Sequence, residues 1–261
     1  MELPLTGIRI VDFSALLPGP LATLMLAEAG AEIIKIEKPG GDDMRHFPPM
    51  LQSRGAAHRL LNKGKRIIEL DLKSDRGKMD ALELVRTADV LVEQFRPGVM
   101  ERLGLDYSSM RAINEKLIYC SITGYGQSGP RTFEAGHDIN YIGNTGLLAQ
   151  SWGSAADPVL PPAQIADIGG GSFPAIINIL LALLNRQRSG QGCHIDIAMC
   201  DAMFTFAVFA QAFGAAGKPV QDGGSGLLTG GSPRYNIYPA KCGTPICVGA
   251  LEEHFWQKLC D

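Results

Sequence analysis

Two short stretches carry the side chains best suited to moving protons: Gly136-His137-Asp138-Ile139-Asn140-Tyr141 and Asp167-Ile168-Gly169-Gly170-Gly171. The first sets an imidazole in a turn after the glycine-rich run 124–130 (GYGQSGP). The second sets a carboxylate where a glycine-softened helix begins. Histidine titrates near neutral pH and burial can tune an aspartate toward it. A pair facing one carbon can therefore withdraw a proton from one side and return one on the other. That is the logic of a racemase or epimerase. Asp167 also reads as the N-terminal cap of the helix that follows, where the helix dipole favours the charged carboxylate.

Two cations stand where strand-like runs end. Lys38, within Glu37-Lys38-Pro39, can meet a phosphate outside the carboxyl edge of a sheet, or be a solvated loop lysine. Arg96, in the run 89–98 (DVLVEQFRPG), offers a fork suited to phosphate or carboxylate, or to capping a neighbouring carbonyl. The basic run 62–66 (NKGKR) reads as a solvated loop, ahead of a strand whose end, Leu70-Asp71-Leu72-Lys73, reaches the same edge.

The elements that must position these groups alternate along the chain. Ile8 to Phe13, Glu32 to Glu37, Arg66 to Leu72, Asp89 to Glu93, Leu117 to Ile122 and His194 to Ala198 are strand candidates. Helical stretches follow Pro20, run around 74–87 and 97–114, and continue at Gly169 to Ser189 and Asp201 to Phe213. Such alternation predicts an α/β fold with a mostly parallel, Rossmann-like sheet. The turn after the first strand, Ser14 to Pro20 (SALLPGP), is not a GxGxxG loop, and its two prolines remove amides that a pyrophosphate needs, which disfavours a dinucleotide. Residues 1–213 read as a large domain with its connecting helix, 214–234 as a glycine- and proline-rich linker, and 235–261 as the start of a smaller α+β domain. In that last part Tyr235 to Pro239 and Pro245 to Val248 suit a hairpin, and Leu251 to Leu259 a helix.

Composition narrows the function classes. At 261 residues and 46% hydrophobic the chain is long enough to bury a full core. A net charge of −3 gives no basic field for nucleic acid. The cysteines (120, 193, 200, 242, 247 and 260) form no CxxC pair, so no zinc site or disulfide framework is indicated and they read as thiols of a reducing compartment. No secretory signal is visible. The longest apolar run, Phe173 to Leu184, is interrupted by Asn178 and too short to span a bilayer, which makes it a core helix and the membrane no partner.

Taken in order, LLPGPLATLMLAEAGAEIIKIEKPG, LDLKSDRG, EQFRPGVMERLGL, LIYCSITGYGQSGP, AGHDINY, ADIGGG, RQRSGQG and VGALE carry a resemblance over essentially the whole chain. The chain resembles the CoA transferase family III superfamily, most closely its α-methylacyl-CoA racemases. The resemblance implies that His137 and Asp167 are the acid–base pair and that Glu252, in Gly249-Ala250-Leu251-Glu252, supports the histidine. The implied reaction removes the α-proton of a 2-methylacyl-CoA thioester, passes through an enolate and reprotonates the opposite face, with no cofactor besides the CoA of the substrate. Amides around Asp138 and at the start of the helix after Asp167 would hold the enolate oxygen. CoA contacts carry over onto Lys38, Leu70, Asp71, Leu72, Lys73, Arg96, Gly136, Asp138, Ile139, Asn140 and Tyr141. Two departures stand out: Lys38 replaces an arginine, and Ala163 an asparagine four residues before Asp167. Asp167 also matches the aspartate with which family III CoA transferases form acyl intermediates, so CoA transfer to a free carboxylic acid is the alternative. The family fold implies an interlocked homodimer, and an intracellular setting: cytoplasmic in a bacterium, mitochondrial or peroxisomal in a eukaryote. Roughly the last third of a typical member is missing by this comparison. An inactive, truncated CoA-binding fragment is thus a further reading, with Phe255, Trp256 and the helix at 173–184 partly uncovered.

Overall fold

The structure, a computed structural model, describes residues 2–150, 153–154, 157–221 and 223–261. Six strands, β1 (Arg9–Asp12), β2 (Glu32–Glu37), β3 (Arg66–Glu69), β4 (Val90–Glu93), β5 (Ile118–Thr123) and β6 (His194–Ala198), form one sheet in the order β3-β2-β1-β4-β5-β6. Every pairing is parallel. This is the Rossmann order, with β1 central and the direction of winding reversed between β1 and β4.

Both faces of the sheet are covered, which is why its central strands read as near-continuous apolar runs. One face buries Val11, Ile34, Leu91 and Tyr119 against Ala81 and Val85 of helix α2 (Asp75–Arg86) and Met110 of the helix Tyr107–Ile113. The other face carries the buried Ile10, Ile33, Val90 and Ile118, with helices α1 (Pro18–Glu28) and α3 (Phe173–Ser189) alongside. Each such aliphatic side chain contributes about 1.5–3 kcal/mol by leaving water.

Several boundaries differ from the sequence expectation for local reasons. Helix α1 starts at Pro18, ahead of Pro20, because proline's fixed φ and missing amide suit the first turn of a helix. The stretch 97–114 forms two helices, Val99–Leu103 and Tyr107–Ile113. Gly104 at φ 69° ends the first, and Asp106 caps the second by accepting from the Ser108 and Ser109 amides. β3 stops at Glu69, so 70–73 are turn residues in which Asp71 accepts from the Lys73 amide at 3.0 Å. The expected helix at 201–213 breaks into Met199–Ala202, a 3₁₀ turn at Met203–Thr205 and Val208–Ala215.

The helix Ala166–Ser189 runs for 24 residues, long and apolar enough by length and composition to cross a membrane. Its first seven residues, Ala166–Ser172, are a π-helix that adds to the apolar run. Ala175, Ile179 and Leu183 are buried, whereas Phe173, Ile177, Leu180, Leu181 and Leu184 are exposed, so the core-helix expectation holds for one face only.

The chain divides into two compact units, 1–137 with 165–202, and 138–164 with 203–261. The cuts thus fall before Asp138, after Gln164 and after Ala202, not at the expected boundary at 213. The stretch expected to be one connecting helix is interrupted at Ala202, and the chain leaves the first unit there. In the second unit β7 (Tyr235–Pro239) and β8 (Pro245–Gly249) form an antiparallel hairpin, followed by helix α4 (Glu253–Cys260). Phe255 is exposed and Trp256 half-buried.

Candidate active site

The turn that follows β1 is built over a sealed group of charges. Alternation along β1 puts Asp12 on the α1 face, fully buried, and there its carboxylate accepts from the Ser14 amide at 2.9 Å, the Ser14 hydroxyl and the Thr23 hydroxyl at 2.5 Å. Two buried lysines balance it. Lys65 Nζ lies 3.4 Å from Asp12 and donates to Pro20 O and Thr23 Oγ1, both at 2.8 Å. Lys35 Nζ donates to Ser14 O and lies 3.6 Å from the buried Asp42. Burial pushes the Asp12 carboxyl up, but the Lys35 and Lys65 charges and the two hydroxyls outweigh it and hold the group below the usual carboxylate value. Burial pulls Lys65 down to about 8, against the pull of Asp12, so the pair is charged at neutral pH. Asp42 also accepts from the amide of Leu16, whose φ of 60° is a left-handed conformation costing about 1–3 kcal/mol unless its surroundings hold it.

The expectation of a solvated loop at 62–66 therefore holds for Lys63 and Arg66 but not for Lys65 or Asn62, which is buried too. The signal lay in the opposite strands: Asp12 and Lys35 are lone charges inside apolar runs, IVDF and EIIKIE, and such charges require partners.

Asp167 is half-buried, the second residue of the π-helical turn. It is not the N-cap: Ile165 precedes that turn with helical φ and ψ of −67° and −41°. The turn approaches the start of α1 so closely that a Cβ on Gly171 would stand 2.9 Å from Pro18 Cβ. His137 is exposed and ends the first of the two segments that make up the first unit, after a run fixed at its beginning: Gly126 N donates to Thr123 Oγ1 and Gln127 N to Asp196 Oδ2, each at 2.9 Å. His137 and Asp167 belong to the same unit.

The expected CoA contacts scatter along one edge. Lys38 follows β2, Leu70 to Lys73 follow β3 and Arg96 follows β4, all at the carboxyl ends of adjacent or nearby strands. Lys38 is exposed and paired with Asp43 at 2.6 Å. Asp71, Lys73 and Arg96 are exposed, and Leu70 and Leu72 are half-buried against the core. Gly136 is half-buried and ends the loop before His137. Asp138, Ile139, Asn140 and Tyr141 open the helix Asp138–Asn144 of the second unit, in which Tyr141 is buried. Glu252 lies in the second unit as well, exposed, at the N-cap position of α4.

A second polar group that the sequence reading passed over lies at the carboxyl end of β4. Glu93, 3% exposed, lines a cavity of about 320 Å³ together with Glu101, Asp106, Tyr107, Tyr119, Ser121 and His194, among others. Ser121 Oγ is 3.0 Å from His194 Nε2, and the Tyr107 ring stacks on His194 at 5.1 Å. Burial raises the Glu93 carboxyl to about 7, despite hydrogen bonds from Ser121 and the Phe95 amide, and Asp196 adds to the rise.

A model of CoA-transferase family III matches residues 5–261. The chain is 36% identical over 255 residues to an α-methylacyl-CoA racemase of Mus musculus, covering 98% of this chain and 63% of that one. It is 42% identical over 206 residues to a succinate–glutarate CoA-transferase of Agrobacterium fabrum, covering 76% of this chain and 51% of that one. A solved structure of a CAIB/BAIF family protein from Brucella suis superposes with a TM-score of 0.85 at 33% identity, over 93% of this chain and 65% of that chain. The chain thus spans between half and two thirds of the length of these relatives.

Proposed function

Because the chain belongs to CoA-transferase family III, we propose that its protein is a racemase that interconverts (R)- and (S)-2-methylacyl-CoA thioesters. The observation that carries the reading is the presence, in one compact unit, of an exposed histidine and a half-buried aspartate, two groups able to exchange protons with a carbon acid. In this proposal one of His137 and Asp167 removes the α-proton and the other returns a proton to the opposite face. Glu252 supports the histidine. Backbone amides around Asp138 and in the turn after Asp167 hold the enolate oxygen, and CoA supplies the thioester without further cofactor. The CoA phosphates are read onto Lys38 and Arg96 and the rest of the nucleotide along 70–73 and 136–141. An interlocked homodimer and an intracellular location are part of the same proposal.

Transfer of CoA to a free carboxylic acid is the second reading, favoured by the similarity to a named CoA-transferase. There Asp167 attacks the thioester carbonyl and expels CoA thiolate, forming a mixed anhydride. The two readings separate in deuterated water with a 2-methylacyl-CoA. A racemase incorporates solvent deuterium at the α-carbon, and His137→Ala and Asp167→Ala each lower that exchange by at least ~10²-fold. A covalent adduct on Asp167 by mass spectrometry, without deuterium uptake, favours the transferase, and exchange untouched by either substitution overturns the racemase.

A further inference from the structure

Asp167 lies in a π-helical turn that segments remote in sequence hold in place. Ser172 closes this turn, fully buried, with its hydroxyl 2.7 Å from Pro18 O and 3.3 Å from Asp167 O. A serine hydroxyl has one proton to donate, and the shorter contact takes it to Pro18. Beside it, Gly171 leaves no room for a side chain: a Cβ would meet Pro18 Cβ at 2.9 Å and Met199 Sδ at 3.1 Å. Pro18 opens α1, and the first turn of α1 is itself anchored. Lys65 Nζ donates to Pro20 O and Thr23 Oγ1 at 2.8 Å, and Gly19 N donates to Gln94 Oε1 at 3.1 Å. Lys65 is kept there by Asp12, so a continuous path of buried polar contacts runs from the Asp12–Lys65 pair through α1 and Ser172 to the turn that bears Asp167.

We propose that Ser172 and Lys65 are positioning residues for Asp167: Lys65 fixes the first turn of α1, and the Pro18 carbonyl, through Ser172, fixes the π-helical turn. The inference rests on the reading of Asp167 as a reacting group, but the path itself is independent of which reaction Asp167 serves. It gives the buried ion pair a role that apolar residues of the same size would not fill, since such pairs add little net stability but can impose one geometry. It also gives Gly171 a purpose, because a helical glycine is destabilising relative to alanine unless the backbone must come close to something.

The test uses the full chain and two measurements. Amide hydrogen exchange of peptides covering 166–172 is compared in the parent, Ser172→Ala, Ser172→Cys and the double variant Asp12→Asn with Lys65→Met, which removes both charges and so leaves neither buried alone. Exchange in 166–172 is expected to quicken about 10-fold or more in Ser172→Ala and in the double variant, with β5 unaltered, and the Cys variant, which keeps a weak donor, to fall between. Solvent-deuterium uptake by a 2-methylacyl-CoA is expected to lose ~10–100-fold in kcat while KM stays within about 3-fold, the pattern of a misplaced reacting group. If 166–172 exchanges as in the parent in the double variant, or kcat is unaltered in Ser172→Ala while the parent turns over, the inference is overturned. Full turnover by Asp167→Ala would instead defeat the functional reading, and the exchange measurement would still decide whether the turn is held.

Discussion

Two polar groups sit at the carboxyl edge of the same sheet and are built on opposite plans. Under the β1–α1 turn, Asp12 and Asp42 are matched by Lys35 and Lys65 and sealed from water. At the end of β4, Glu93 is as deeply buried but faces Glu101, Asp106 and, across the strands, Asp196, with no lysine or arginine among the described residues that line the cavity. Within the matched group the Asp12–Lys65 pair keeps its charges at neutral pH and acts as a clamp. The unmatched carboxyl instead holds its proton up to about pH 7, because a buried charge without a counter-ion is costlier than a neutral acid. Burial alone therefore does not decide what a buried acid does; the sign of its neighbours does.

The comparison can be broken most severely at Lys65. Lys65→Met leaves Asp12 desolvated and partly unpaired and is expected to cost about 3–5 kcal/mol in urea unfolding, of which the added Asp12→Asn change restores a large part. If the single and double variants were equally stable, the two charges would not be acting as a pair.

A smaller effect belongs to Glu93. Its folded pKa, near 7, lies above the ordinary value of 4.5, so the folded state binds the extra proton between these limits. The sign follows: the stability Glu93 contributes is full below pH 4.5 and is lost as pH rises through 7, on the order of 3 kcal/mol in total. The difference in unfolding free energy between the parent and Glu93→Gln, followed from pH 4.5 to 8, is expected to fall across that window. A flat difference would mean that the cavity holds a compensating charge.

The smallest effect is at the exposed pair Lys38–Asp43, 2.6 Å apart at the same edge. Asp43→Asn is expected to alter stability by less than about 1 kcal/mol, as exposed pairs do. It also releases Lys38, and if Lys38 binds the CoA phosphates, calorimetry should record affinity for CoA raised by no more than about 5-fold, with no gain when Lys38→Ala is already present.

The sheet was legible in the sequence because parallel strands covered on both faces must be apolar throughout, and VLVE and IYCSIT declare themselves by that alone. The helix start at Pro18 and the break at Gly104 were less so, since proline and glycine permit several local outcomes and packing selects one. His137 and Asp167 stood out by residue type and setting. The π-helical turn did not, because a run of small residues is compatible with α, π or loop geometry until Pro18 and Met199 fix the clearance. Lys65 was misread for a related reason. Its neighbours Lys63 and Arg66 are solvated, and only the fold brings Asp12 and Pro20 O to one member of the run.

The strand order also has a consequence during synthesis. β1 pairs first with β2, Ile10 beside Ile33, and β2 then with β3, so one half of the sheet can close from neighbouring segments. The other flank of β1 waits from Ile10 until Val90 has emerged, and the outer edge of β5 waits nearly as long, from Ser121 until Asp196. At about 5–20 residues per second on the ribosome, the β1 flank and the apolar backbone edge of Ile118 to Ile122 each stay bare for several seconds after their own strand is made. Slow translation between 123 and 194 would lengthen that interval and with it the chance that two nascent chains pair edge to edge there.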